Sequence, residues 1–222
     1  EKLNITTFSE ACQIRIDAQG AITAIMGTTT SGQGHETLVS TIAGEELERD
    51  PDLIRVVHSD SIESLPTRSP VASRMAIMLG GAIAGAADKL KAQIMAIAAH
   101  NLERPVDQLE YSGGDVSDRA DPSLKISWNE ICYIAHKQFH KLPEGAAPGL
   151  EATDYYSPPH AAWAYGVHAA IIEVDPGLCS LQFKRYICVH DCGRMINPTL
   201  VEGRIMGGVA QGVGGAHYER IE

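Results

Sequence analysis

The stretch Cys12-Gln13-Ile14-Arg15-Ile16-Asp17-Ala18-Gln19-Gly20-Ala21-Ile22-Thr23-Ala24-Ile25 decides how the chain is built. Ile14 and Ile16 alternate with Arg15 and Asp17 at the period of two that sets one face of a strand on a core and the other in water. Ala18-Gln19-Gly20 then turns the chain, and Ala21 to Ile25 reads as the returning strand. A loop follows at residues 27–34, rich in Thr and Gly, and from His35 to Leu47 the apolar residues Leu38, Ile42 and Leu47 approximate helical spacing. Hairpin, loop and helix therefore come in direct succession.

Outward from this unit, Leu53 to Val57 reads as a short buried strand, and Ser59 to Pro70, with two prolines and five Ser or Thr, as an irregular connection long enough to point to function. Val71 to His100 is the longest helical stretch, Ala-rich, with Gly80-Gly81 and Gly85 permitting close packing on a neighbour. Ser127-x-x-Glu130 before Ile131, Ile134 and Ala135 is a capping box that opens a helix through about Phe139. Residues 142–149, holding Pro143 and Pro148, read as a linker. Val167 to Val174, the turn Asp175-Pro176-Gly177 and Leu181 to Val189 form a second hairpin, after which Asn197-Pro198 opens a Gly-rich helical segment toward Tyr218. Hairpins with interleaved helices predict an α+β fold in layers rather than a doubly wound sheet.

With 222 residues, 44% hydrophobic and 21% charged, the chain can bury a full core in one large domain or two small ones, and wholesale disorder is excluded. No apolar run reaches bilayer length, so no membrane contact is expected. A net charge of -10, with 18 basic residues scattered along the chain, repels a phosphate backbone and argues against nucleic acid. Five cysteines without a regular framework fit a reducing compartment, and a cytoplasmic location is expected. The start at Glu1 rather than Met, without a charged and apolar leader, reads as a piece of something longer.

Candidate chemistry sits in few places. Ser31-Gly32-Gln33-Gly34-His35-Glu36-Thr37 joins a Gly-rich loop to a helix start, where N–H groups favour an anion such as pyrophosphate, although the lysine of a P-loop is missing. Gln33 adds an amide with two donors and an acceptor. Alone, the pattern reads as turn glycines before it reads as a phosphate cradle. Ser69-Pro70-Val71-Ala72-Ser73-Arg74 is a second loop entering a helix, with Arg74 to pair with an anion, or simply a capped helix start. Cys188-Val189-His190-Asp191-Cys192 packs four potential metal ligands into five residues, but nothing at zinc-finger spacing completes a site. His136 and His140 stand four apart on the predicted helix, with Lys137 where zinc proteases place Glu. No metal is expected at any of these. Gly203 to Gly215 holds too many glycines for an ordinary exposed helix, so a packed neighbour or a ligand must approach it closely.

Taken in order, these segments resemble the molybdenum-binding subunit of the xanthine dehydrogenase and aldehyde oxidase family, in its carbon monoxide dehydrogenase large-chain-like branch. The resemblance rests on Gly32-Gln33-Gly34-His35-Glu36-Thr37, on Ala72-Ser73-Arg74, on Gly166-Val167-His168 with Glu173-Val174-Asp175, and on Asp191-Cys192-Gly193-Arg194-Met195-Ile196-Asn197-Pro198 running into Val201-Glu202-Gly203. It implies a molybdopterin-binding α+β domain, with residues 1–150 as part of a first subdomain and 151–222 as the start of a second. It implies molybdopterin cytosine dinucleotide as cofactor, its molybdenum chelated through a dithiolene, and hydroxylation of an aldehyde, N-heterocycle or similar small substrate with oxygen from water. FAD and 2Fe-2S clusters are implied on partner subunits, an FAD-binding and an iron–sulfur subunit, besides the remainder of the molybdenum-binding subunit.

By the same resemblance Gln33 stands beside the apical oxo ligand, Gly32, Gly34 and His35 share its loop, and Ala72, Ser73 and Arg74 line the site and hold pterin or phosphate. Arg204 and Gln211 join the cofactor contacts, Arg204 standing where the family usually has Gln. The family's catalytic glutamate lies beyond Glu222 and its Gly-Phe-Gly segment before Glu1, so the chain is expected to be a middle portion, inactive alone. A non-catalytic cofactor-binding or assembly module, lacking that glutamate, is the competing expectation.

Overall fold

A computed structural model describes residues 9–220 except 59, 61, 63 and 161. Ser59, Ser61 and Glu63 of the expected irregular connection therefore lie outside the described residues. The chain divides into two compact units, 1–160 and 161–222.

The first unit is built on the expected hairpin, β1 (Glu10–Ile16) with β2 (Ile22–Met26), antiparallel with Cys12 opposite Met26 and Ile16 opposite Ile22. After α1 (His35–Leu47), β3 (Ile54–Val57) joins β2 in parallel, the helix supplying the crossover that a parallel pair needs. The fourth strand, β7 (Leu150–Tyr156), comes from the far end of the unit and pairs antiparallel with the other edge of β1, giving the order β3-β2-β1-β7. Because β7 begins at residue 150, the first compact unit runs past the expected linker to His160.

Cys12, Ile14 and Ile16 of β1 and Ile22, Ala24 and Met26 of β2 are buried in one cluster with Val39, Ala43 and Leu47 of α1. The central element is α2 (Met75–Leu102), whose Leu79, Ile83, Ala86, Leu90 and Ile94 are wholly buried in that cluster. Glycine lets it lie close on β7: a methyl at Gly85 would stand 2.2 Å from the Asp154 carboxylate. Beyond it, β4 (Leu109–Ser112), β5 (Asp115–Asp118) and β6 (Lys125–Ile126) make a small antiparallel sheet, and α3 (Trp128–Lys137) opens as expected on Ser127, whose Oγ accepts from the Glu130 N–H.

The second unit holds the expected hairpin, β8 (Tyr165–Asp175) and β9 (Ser180–Asp191), which pair with a bulge at Ile171/Ile172. The Asp175 carboxylate accepts the N–H groups of Gly177 and Leu178 and so builds the turn. Asn197 caps α4 (Pro198–Val213) by accepting the Leu200 N–H, and a single π-type turn, Gly214–Tyr218, follows. Among the described residues no helix is long and apolar enough to cross a membrane.

Candidate functional site

Strand direction decides where the loops emerge. β1 starts, and β2, β3 and β7 finish, at one end of the sheet: Cys12 faces Met26, Glu10 faces Tyr156, and Ile25 faces Val57. Both loops singled out from sequence lie at this end, the glycine loop within residues 27–34 after β2 and Ser69–Arg74 within the strap from Leu65 to Arg74 that leads into α2. They touch. Thr28, buried, donates its hydroxyl to the Arg68 carbonyl at 3.4 Å, and a methyl at Gly27 would stand 2.3 Å from the Leu65 carbonyl oxygen. At the mouth of the loop His58 Nε2 lies 2.8 Å from Glu36 Oε1.

Gly32 and Gly34 take φ of +87° and +74°, a region that L side chains avoid, and no atom of the other described residues lies within 4 Å of where a Cβ on Gly32 would stand. That leaves open space over the glycine backbone. Between the two glycines the Gln33 side-chain oxygen accepts the Thr30 hydroxyl at 3.3 Å and, in a short hydrogen bond, the Ser31 N–H, so the amide is held in one orientation. His35, the first residue of α1, is buried.

The helix starts divide into two kinds. Those of α3 and α4 are capped by Ser127 and Asn197, whereas among the described residues neither Gly34 before α1 nor Arg74 before α2 supplies a side-chain cap. Gly81 and Gly85 set the first part of α2 against Tyr156 and Asp154, so both uncapped ends face the end of the sheet from which the loops leave. Uncapped N–H groups with the positive pole of the helix dipole fit phosphate oxygens.

Ala72 and Ser73 are exposed and both hold positive φ, 62° and 52°, so the helix that the sequence predicts from Val71 begins at Met75. Arg74 is 2% exposed and turns inward. Its Nη1 pairs with the Glu10 carboxylate at 2.5 Å and donates to the Ser69 carbonyl at 3.0 Å. The anion it meets inside the unit is Glu10, and the exposed part of the loop is the main chain of residues 71–73. The sequence reading missed Glu10 altogether, since an acidic residue at the start of a strand carries no signal until its partner is known.

In the second unit Arg204 and Gln211 are exposed on α4, two turns apart. Along that helix nothing lies within 4 Å of a Cβ built on Gly203, Gly207, Gly208 or Gly212, so no neighbour among the described residues of the unit makes the close approach that these glycines permit. On the hairpin, His168 stands opposite Cys188, with Nε2 3.6 Å from the Sγ and Nδ1 3.0 Å from the Tyr186 hydroxyl. Among the described residues no group of three or more His, Cys, Asp or Glu could hold a metal ion. The expected helical pair of histidines does not form: α3 ends at Lys137, His140 falls in the following turn, and His136 binds the Ile16 carbonyl at 2.8 Å.

Residues 2–222 match the molybdopterin cofactor-binding domain family. The carbon monoxide dehydrogenase large chain of Hydrogenophaga pseudoflava is 34% identical over 91% of this chain and 25% of its own length. The nicotine 6-hydroxylase large subunit of Paenarthrobacter nicotinovorans is 30% identical over 96% of this chain and 26% of its own. Quinoline 2-oxidoreductase from Pseudomonas putida 86 superposes with a TM-score of 0.85 at 31% identity, over 93% of this chain and 26% of that one. The chain thus spans about a quarter of the length of these relatives.

Proposed function

The chain belongs to the molybdopterin cofactor-binding domain family of molybdenum hydroxylases, and from this we propose that it forms much of the cofactor wall in a multi-subunit hydroxylase, with the loop 27–34 and the strap 65–74 as the holding elements. The observation that carries the reading is the convergence of an open glycine cradle, two uncapped helix starts and an exposed strained strap at one end of one sheet.

In this reading the N–H groups at the starts of α1 and α2 bind the phosphates of molybdopterin cytosine dinucleotide. Gly32 lets the backbone approach closely, and Gln33, oriented by Thr30 and Ser31, hydrogen-bonds a ligand oxygen. The main chain at Ala72 and Ser73 closes the opposite wall and excludes water. Arg74 acts from behind the strap through Glu10. When bound, the cofactor supplies the redox chemistry by which an aldehyde, N-heterocycle or similar small substrate is hydroxylated with oxygen from water; the chain's part is binding, orientation and electrostatics. Arg204 and Gln211 on α4 are the residues that the second subdomain offers the cofactor, and because β7 (Leu150–Tyr156) completes the first sheet, the division between the subdomains falls after β7 rather than at the expected 150/151. FAD and 2Fe-2S clusters reside on partner subunits, and the complex is cytoplasmic.

The test is chemical analysis of the native complex containing this chain, purified from cells that make the cofactor. Molybdenum and acid-released CMP in equal amounts, close to one of each per chain, are expected. Absence of both, in a folded complex, overturns the reading.

A further inference from the structure

Glu10 is 1% exposed, and Arg74 beside it is 2% exposed. Among the described residues the carboxylate's partners all come from the strap: Oε1 pairs with Arg74 Nη1 at 2.5 Å and accepts the Arg68 N–H at 3.4 Å, while Oε2 accepts a short hydrogen bond from the Thr67 hydroxyl. Arg74 in turn donates to the Ser69 carbonyl at 3.0 Å, to the Ser9 carbonyl at 3.4 Å and to the Met78 sulfur at 3.1 Å. One buried pair thus grips the strap where it enters, in its middle and where it becomes α2. β1 itself, whose main chain is locked into the sheet on both edges, is the fixed point.

Stability alone is a poor reason for such a pair, since apolar residues of similar volume serve a core as well or better than a desolvated ion pair. Geometry is what the pair supplies. Ala72 and Ser73 hold left-handed φ, which non-glycine residues keep only when their surroundings impose it. The residues that fix the chain on either side of them are those bound to Glu10 or to Arg74.

We infer that Glu10 is a positioning residue for the cofactor: through Thr67, Arg68 and Arg74 it holds the strap 67–73 in the strained form that presents its main chain to the ligand. The inference rests on the proposed reading of the strap as a cofactor wall.

The test uses the complete enzyme containing this chain, with three readouts: amide exchange of residues 67–73 after the cofactor is stripped, molybdenum and CMP content before stripping, and exchange of the β1 and β2 amides as an internal control. Glu10→Gln removes the charge and keeps the shape. It is expected to speed exchange across 67–73 by about tenfold, the scale of a charge-assisted hydrogen bond, to leave the β1 and β2 amides at wild-type rates, and to lower cofactor content several-fold. Glu10→Asp, which keeps the charge on a shorter arm, should fall between. Thr67→Val deletes one donor and leaves the ion pair, so it tests the same tie where Glu10→Gln fails to fold; faster exchange at 67–69 is expected. Wild-type exchange of the strap in these variants overturns the inference, as does equal loosening of strap and sheet. A loosened strap with unchanged molybdenum and CMP instead removes the cofactor-wall reading on which the inference stands.

Discussion

Gly81 lies so close beneath the ring of Tyr156 that a methyl group on it would come within 2.4 Å of Cδ1. Tyr156 is the register partner of Glu10, so this contact sets the height of α2 over the end of the sheet from which the candidate loops emerge. Gly81→Ala should destabilise the chain by about 1–3 kcal/mol, because a packed ring must shift. At Gly80 the same methyl meets, among the described residues, only the Ile42 Cδ1 at 3.2 Å, a flexible tip, so there the helix-propensity gain of up to about 1 kcal/mol offsets the crowding. Urea unfolding of the two variants checks this; equal effects would contradict it.

The same local detail explains what the sequence made legible. The β1–β2 hairpin, α1, the Ser127 cap and the Asp175-Pro176-Gly177 turn all declare themselves through period, capping or turn chemistry within a few residues. β7 does not: Leu150 and Ala152 face the core, but the same face continues with the charged Asp154, which lies against Gly85 of α2, so the apolar alternation breaks off, and what makes the segment a strand is its pairing with β1, far away in the chain. β4, β5 and β6 are too short and polar to show a period. The site divides likewise. Gly32, Gln33 and Gly34 announce a special backbone, whereas the false first turn of α2 follows from the tie of Arg74 to Glu10, which no local pattern contains.

Asp118 gives a pH dependence with a definite sign. The N–H groups of Asp121 and Ala120, then Arg104, hold its carboxyl below the usual 3.8. The folded state therefore prefers the ionised form, and the contribution is complete above the unfolded value and lost as pH falls through the lowered folded one. Asp118→Asn should be less stable than wild type near neutrality, and the gap should close below about pH 4. A gap that persists in acid would contradict the assignment.

The cysteines divide by burial. Cys12 and Cys132 are wholly buried, and burial pushes both thiols up to about 12, whereas Cys179 and Cys192 are exposed. In the 222-residue chain, a thiol reagent at about pH 8 should modify Cys179 and Cys192 promptly and the buried pair only on unfolding. Since the folded values are raised, the stability that neutral thiols lend is intact below the ordinary 9.0 and falls as pH rises from there toward about 12. Peptide mapping after timed alkylation decides; prompt labelling of Cys12 would contradict the core described above.

Gln33→Ala removes the amide that Thr30 and Ser31 orient and leaves both glycine turns. In the complete enzyme turnover should fall by about 100-fold, the scale for one aimed hydrogen-bond donor, with stability changed by less than about 1 kcal/mol. Wild-type turnover at normal molybdenum content would remove Gln33 from the site.

The central claim, that the two loops at one end of the β3-β2-β1-β7 sheet hold the cofactor, is tested most directly by hydrogen exchange on the complete enzyme containing this chain, loaded and then stripped of molybdopterin. A ligand that binds only the folded site slows local opening of what it touches. The account predicts protection on loading at Gly32 to Thr37 and at residues 67–73, with a further protected stretch from Gly203 to Gly215, while the amides of β1 and β2 exchange alike in both states. Equal exchange of Gly32 to Thr37 and of 67–73 in the loaded and stripped enzyme would contradict it.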